Sequence, residues 1–283
     1  MMVVHSKEIT RIPLFSACAK FCGQSNLDYG ASSGIGREMA RQANALGAKV
    51  VLSARGARVL EGLKKELSHP ENALVLPLDM EQSLVFGEKV KQVVEQFGRI
   101  DLLFNNAGIS QRSEVHESSL EIDRKIMEIN FFGTVALTKA VLPVMRKQKS
   151  GHFAVISSIT GKTGFYERSA YAASKHALHG FFESLRLEEE KNNIKVTIIC
   201  PGPVRTNISV NSIDSTGQPH GQMDKMQEEG MPVEDCVKQI IKSIQKDKLE
   251  VFVSQGPEAF GMKLKALMPR LYFKMVKKRK ARG

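Results

Sequence analysis

From residue 30 onward the chain alternates short apolar runs with longer amphipathic stretches, and few folds accommodate that rhythm. The pattern predicts helices over 35–46, 58–67, 82–97, 120–147 and 233–245 and around residues 171–175. Strands are expected over 48–54, 73–79, 100–105, 151–158, 195–200 and 249–254. Strands that are apolar throughout are covered on both faces, and amphipathic helices between them supply the covers. The expectation is an α/β fold in one domain, a doubly wound parallel sheet that binds ligands at the carboxyl ends of its strands.

The first helix opens on Gly30-Ala-Ser-Ser-Gly34-Ile-Gly36. Glycines at that point let a backbone approach a pyrophosphate, and a helix N-terminus supplies free N–H groups and a positive dipole end. The loop, with Ser32, Ser33 and Ile35 between its glycines, is therefore expected to hold a dinucleotide. Its spacing is Gly-x3-Gly-x-Gly, not Gly-x-Gly-x2-Gly. The same residues fit Gly-x-Ser-x-Gly, with Ser32 as the nucleophile of an α/β-hydrolase, but too few strands precede Ser32 for that fold. Arg55 and Arg58 follow the second strand, where an acidic residue accepts from a ribose 2′-OH and arginine accommodates a 2′-phosphate. They favour NADP(H), the alternative being a solvated helix start. Asp79 and Met80 end the third strand, placed to meet an adenine ring, although Asp79 also suits a helix cap.

Tyr171 and Lys175, in Tyr-Ala-Ala-Ser-Lys, project from one helix face a turn apart, so the ammonium is expected beside the phenol. Such a neighbour lowers a phenol's pKa from about 10 and equips it as a general acid or base. Ser158 ends an apolar run, where its hydroxyl can hydrogen-bond the oxygen that Tyr171 protonates. Tyr-x3-Lys alone is common on solvated helix faces. Asn105-Asn-Ala-Gly108 ends the fourth strand, where an asparagine amide can tie strand ends together. Asn130 stands inside the long helix, an unfavourable place for asparagine unless it has a task there. Pro201-Gly-Pro-Val-Arg-Thr206 makes a sharp turn after the sixth strand, close to where a ring-shaped ligand would lie.

In order and spacing these motifs resemble the short-chain dehydrogenase/reductase family over residues 30–254, and within it the member 7 and 7B group. The resemblance implies a Rossmann fold and hydride transfer between NADP(H) and a carbonyl or secondary alcohol (a CH–OH group), with an apolar substrate of the steroid, retinoid or lipid-like kind. It implies Tyr171 as proton donor and acceptor, Lys175 lowering its pKa and binding the nicotinamide ribose, Ser158 holding the substrate oxygen, and Asn130 fixing a water in a proton relay. Asn106 would lie by the cofactor ribose and Thr206 by the carboxamide, with Ala107, Pro201, Gly202 and Val204 also among the cofactor-binding residues. A homodimer or tetramer and an endoplasmic-reticulum membrane association are implied as well.

One departure matters. The family's first strand is an apolar run ending in Thr-Gly, and this chain has Cys22-Gly-Gln-Ser-Asn-Leu-Asp-Tyr-Gly30. Relatives of the member 7 group carry an N-terminal anchor that is not evident here, so residues 1–29 are expected to be irregular and to replace the usual start, with a cytoplasmic location if the anchor is truly missing. A catalytically impaired cofactor-binding or membrane-associated scaffold is the alternative reading. Residues 16–19 faintly resemble a signal-peptide cleavage site.

Of 283 residues, 42% are hydrophobic and 25% charged, and the net charge is +11, but nine basic and no acidic residues lie in 262–283. The basicity belongs to the tail, which argues against a nucleic-acid-binding face. The expected organisation is an atypical segment 1–29, a domain 30–256 with a substrate lid over 203–231, and a basic amphipathic tail 257–283. That tail suits peripheral contact with an anionic membrane or, alternatively, a solvated or nuclear-localising run. Cys18, Cys22, Cys200 and Cys236 lack the spacing of a metal site, and no metal is expected. No run of 18 or more apolar residues argues for a spanning helix.

Overall fold

The computed structural model describes residues 24–256 and 258–280. Strand β1 (Ser25–Tyr29) leads through the glycine loop into helix α1 (Gly34–Ala45), followed by β2 (Lys49–Ser53), α2 (Ala57–Glu66), β3 (Ala73–Val75), α3 (Phe86–Phe97) and β4 (Leu102–Asn105). A two-residue strand β5 (Gln111–Arg112) precedes α4 (Leu120–Met127), which runs through a π-helical turn at Glu128–Phe132 into α5 (Gly133–Gln148). The chain continues with β6 (Gly151–Ile156), α6 (Ser169–Glu189), β7 (Ile194–Pro201), the short β8 (Ile213–Asp214) and α7 (Lys225–Glu228). It closes with α8 (Val233–Gln245), β9 (Glu250–Val253), α9 (Glu258–Leu267) and α10 (Pro269–Lys280).

Seven strands form one parallel sheet in the order β3-β2-β1-β4-β6-β7-β9, so the winding reverses between β1 and β4. A ligand crevice opens at such a reversal. Apolar stripes on α1, α2 and α8 (Met39, Leu60, Leu63, Ile240) cover one face. Stripes on α3, α5 and α6 (Phe86, Val141, Phe182) cover the other.

Residues 25–29, expected to be irregular, form an interior strand of the sheet, which corrects that reading. Parallel pairing with β2 and β4 is made by the backbone and tolerates polar side chains, at a cost seen in Ser25 and Asn26, which are buried with Ser25 Oγ and both Asn26 amide atoms unpartnered. Residues 1–23, with the cleavage-site reading and Cys18 and Cys22, lie outside the described residues. The third strand ends four residues earlier than expected. Pro77 has no N–H to continue the ladder, although the Leu76 and Leu78 amides still reach the carbonyls of Leu52 and Ala54 at 3.0 and 3.1 Å.

The helix expected over 120–147 is continuous over Leu120–Gln148 but changes pitch at Asn130. By length and mean hydropathy (1.2) that stretch alone, among the described residues, would suffice to cross a membrane, yet Leu137, Val141 and Met145 are packed in the core. Cys200 and Cys236 are buried free thiols, their pKa values pushed up to about 12 by burial.

Residues 203–231 form a loop closed at its base, where the Met231 amide donates to Pro203 and the Arg205 amide to Met231. β8 within it pairs with β5, fixing the loop over the end of the sheet. The C-terminal tail is a pair of helices folded back onto the domain, with Tyr272 buried.

Candidate active site

Two hollows meet above the carboxyl ends of β1, β4 and β6. The first is a cleft of about 440 Å³ at the reversal of the sheet, lined by the glycine loop, Ala54, Arg55, Asp79, Met80, Asn106, Ala107, Tyr171, Lys175 and Thr206. Gly30 has φ +99, a conformation that suits glycine, and a Cβ on Gly36 would lie 2.2 Å from the Gly30 carbonyl oxygen. Only a glycine at residue 36 lets the helix start so close to the strand end, leaving its N-terminal amides facing the cleft. Asn106, not Asn105, ties the strand ends: its Nδ2 donates to the Gly30 carbonyl at 3.3 Å, while Asn105 donates to Thr138.

A crevice lined both by a glycine-tightened helix N-terminus and by cationic side chains fits a nicotinamide dinucleotide. Arg55 lines it. Arg58, exposed on the first turn of α2, does not, and Pro201, Gly202 and Val204 line the second hollow instead.

That second hollow is a cavity of about 230 Å³, walled by Ser158, Tyr171, Phe165, Ile208, Met226 and the C-terminal helices through Phe260, Met262, Leu264, Tyr272 and Met275. Tyr171 borders both hollows. It stands on the first turn of α6, whose start is capped from outside: Gln111 Oε1 accepts from the Ala170 amide at 2.9 Å.

Burial pushes the Tyr171 phenol above its ordinary value, against which act a hydrogen bond with Ser158 and the charges of Arg168 and Arg112. The opposing cations are thus two arginines, where the sequence pointed to Lys175, and the net direction is upward, where the sequence pointed downward. Lys175 is itself buried, its ammonium pushed down to about 8, donating to the Ile156 carbonyl at 2.8 Å and lying 5.8 Å from the Tyr171 ring centre.

Asn130 is fully buried, which removes a bland surface role. Its amide is spent on holding the loop after β4 to α6: Oδ1 accepts from the Ile109 amide at 2.8 Å, and Nδ2 donates to the Ile109 carbonyl and to Ser174 Oγ, both at 3.0 Å. The π turn brings it there. Sequence reasoning missed three polar residues of the cavity wall. Arg168 donates to Asp224 Oδ2 at 2.9 Å, and Arg112 is paired with the same carboxylate. Burial and the neighbouring Arg168 hold Arg112 down to about 10. They latch the 203–231 loop, which carries Asp224, to the body beside Tyr171.

A family model described as short chain dehydrogenase matches residues 28–216. The chain belongs to the short-chain dehydrogenase/reductase family. It is 40% identical over 255 residues to mouse dehydrogenase/reductase SDR family member 7B, covering 88% of this chain and 79% of that one. To a dehydrogenase/reductase SDR family protein 7-like from Anopheles gambiae it is 41% identical over 265 residues, covering 91% and 83%. Among solved structures, a family member from Burkholderia phymatum in complex with NAD superposes with a TM-score of 0.77 over 89% of this chain and 95% of its own, at 22% identity, a likeness of fold. The chain is accordingly an oxidoreductase of this family, on a fold that takes a nicotinamide cofactor.

Proposed function

We propose that the chain is an NADP(H)-dependent enzyme moving a hydride between the nicotinamide and an apolar carbonyl or secondary alcohol of steroid, retinoid or lipid-like kind. The observation that carries this reading is the junction at Tyr171, where a dinucleotide-shaped cleft meets a largely apolar cavity. The nicotinamide, when bound, supplies or accepts the hydride. Tyr171 then gives its phenolic proton to the substrate oxygen in reduction and takes it back in oxidation, with Ser158 holding that oxygen. The charges of Arg168 and Arg112 act on the phenol, and Lys175, lining the cleft beside Tyr171, binds the ribose. Asn130, its side-chain amide spent on Ile109 and Ser174, serves the water relay that restores the proton by holding the loop after β4 against α6. Arg55, on the cleft wall, supports a 2′-phosphate, with Arg58 adding charge from outside.

Exposed Phe132 on the π turn and Leu187 on α6 support a homodimer or tetramer built on the long helix and α6. Exposed Phe260, Leu267 and Phe273 among basic residues support peripheral contact with an anionic endoplasmic-reticulum membrane. A cofactor-binding scaffold without turnover is the second reading, favoured by the unpartnered polar groups of β1. NADPH oxidation against a panel of apolar carbonyls separates the two. Turnover is expected, and Tyr171→Phe should lower kcat by ~10²- to 10⁴-fold with NADPH binding nearly unchanged. No carbonyl turned over faster by the native chain than by Tyr171→Phe would leave the scaffold.

A further inference from the structure

The helix that carries Tyr171 and Lys175 continues the same stripe with His179 and Glu183, and beyond them stands Glu250 at the start of β9. His179 is 6% exposed. Its Nε2 lies 2.9 Å from Ser157 Oγ, and the Ser157 hydroxyl donates to the Lys175 carbonyl at 3.3 Å. Ser157 therefore accepts from the ring, Nε2 carries the proton, and Nδ1 presents a lone pair. That buried Nδ1 has no hydrogen-bond partner. It faces Glu250 Oε2 at 3.5 Å and Glu183 Oε1 at 4.0 Å, and one ligand atom from each of the three residues falls within 4.8 Å of the others.

A lone pair aimed at two carboxylates is unfavourable unless a proton or a metal cation fills the gap, and the Glu250 carboxyl, held down to about 2 with His179 as the first cause, marks the same demand for positive charge there. We propose that His179, Glu183 and Glu250 form a binding site for a divalent metal ion of the zinc class. Zinc takes nitrogen and carboxylate oxygen at about 2.0–2.2 Å, and two such bonds at a tetrahedral angle hold their ligand atoms about 3.3–3.6 Å apart. The gap between Nδ1 and Glu250 already has this width, and Glu183, half exposed, moves in by a side-chain adjustment. The proton on Nε2, held by Ser157, fixes ring and tautomer as the outer partner of a metal-bound histidine does. The Lys162 ammonium, 2.7 Å from Glu250 Oε2, is the competing cation that the metal displaces. The site would tie the middle of α6 to the last strand, behind Ser157 on the cavity wall.

Isothermal titration of the chelator-treated full chain with zinc chloride tests this, in a background with Cys18 and Cys22 changed to serine so that those thiols take no part. One equivalent bound is expected. Glu183→Gln, at an exposed position that folding tolerates, should weaken binding at least tenfold, and His179→Gln more. Lys162→Met, which removes the competing charge, should tighten binding severalfold, an effect that a purely structural Lys162–Glu250 ion pair would not produce. Absence of stoichiometric binding, or binding indifferent to Glu183→Gln and to Lys162→Met, overturns the proposal.

Discussion

Lys175 shows what the proposed catalytic position demands of a single residue. Its ammonium is buried against a carbonyl, and burial brings its pKa from 10.5 to about 8. A lysine that holds its proton less tightly when folded weakens the fold below about pH 8, and that burden is lifted as pH rises from 8 toward 10.5. At pH 7 the shift corresponds to roughly 3 kcal/mol. Lys175→Met should therefore melt higher than the native chain at pH 7 while losing activity, and the difference in melting should shrink between pH 8 and 10.5. Thermal melts at several pH values check it, and a constant difference would locate the effect in packing. Arg55 makes the complementary test at the cofactor end. Removing a charge-assisted contact costs ~1.5–3 kcal/mol, so Arg55→Ala should weaken NADPH binding more than tenfold and NADH binding little, as read by fluorescence titration. Ser158, Tyr171 and Lys175 were legible in the sequence because local spacing places them. Arg112, Arg168 and Asp224 were not, since the arginines stand 112 and 56 residues from the carboxylate that joins them, and no local pattern encodes such a meeting.

Among elements, β1 is the instructive one. An apolar-run criterion reads side chains, and this strand is polar where its position is most enclosed, so the sequence hid it. The backbone ladder decided instead, with partners on both sides. The amide of Asn26 is left with neither donor nor acceptor satisfied, at a cost of ~1–3 kcal/mol. Asn26→Val, between Val50 and Leu102, should raise the melting temperature by ~2–4 °C for each kcal/mol recovered and should improve NADPH binding by steadying the loop that follows. Calorimetry with and without NADPH measures both, and an unchanged melt would show that the amide finds a partner in solution. The long helix was legible in extent but not in pitch: its π turn depends on Asn130 reaching Ile109 and Ser174, two contacts outside the helix.

At the scale of the molecule, the parallel sheet and the cofactor cleft are complete without α9 and α10, whereas the cavity is not. The basic, apolar-studded tail looked in the sequence like a surface appendage, and its inward-facing residues Met262, Leu264 and Tyr272 give it a second task. Deleting residues 258–283 should raise KM for apolar carbonyls at least tenfold and abolish binding to anionic vesicles while leaving the Kd for NADPH within about twofold. Kinetics, vesicle flotation and cofactor titration measure the three, and loss of NADPH binding would make the tail part of the folding core. That late position has a consequence for how the protein is made. A ribosome finishes the sheet and the cofactor crevice before it releases the residues that close the second cavity, so a nascent chain, or one shortened by a late stop codon, is expected to hold the nicotinamide cofactor without the means to select a substrate.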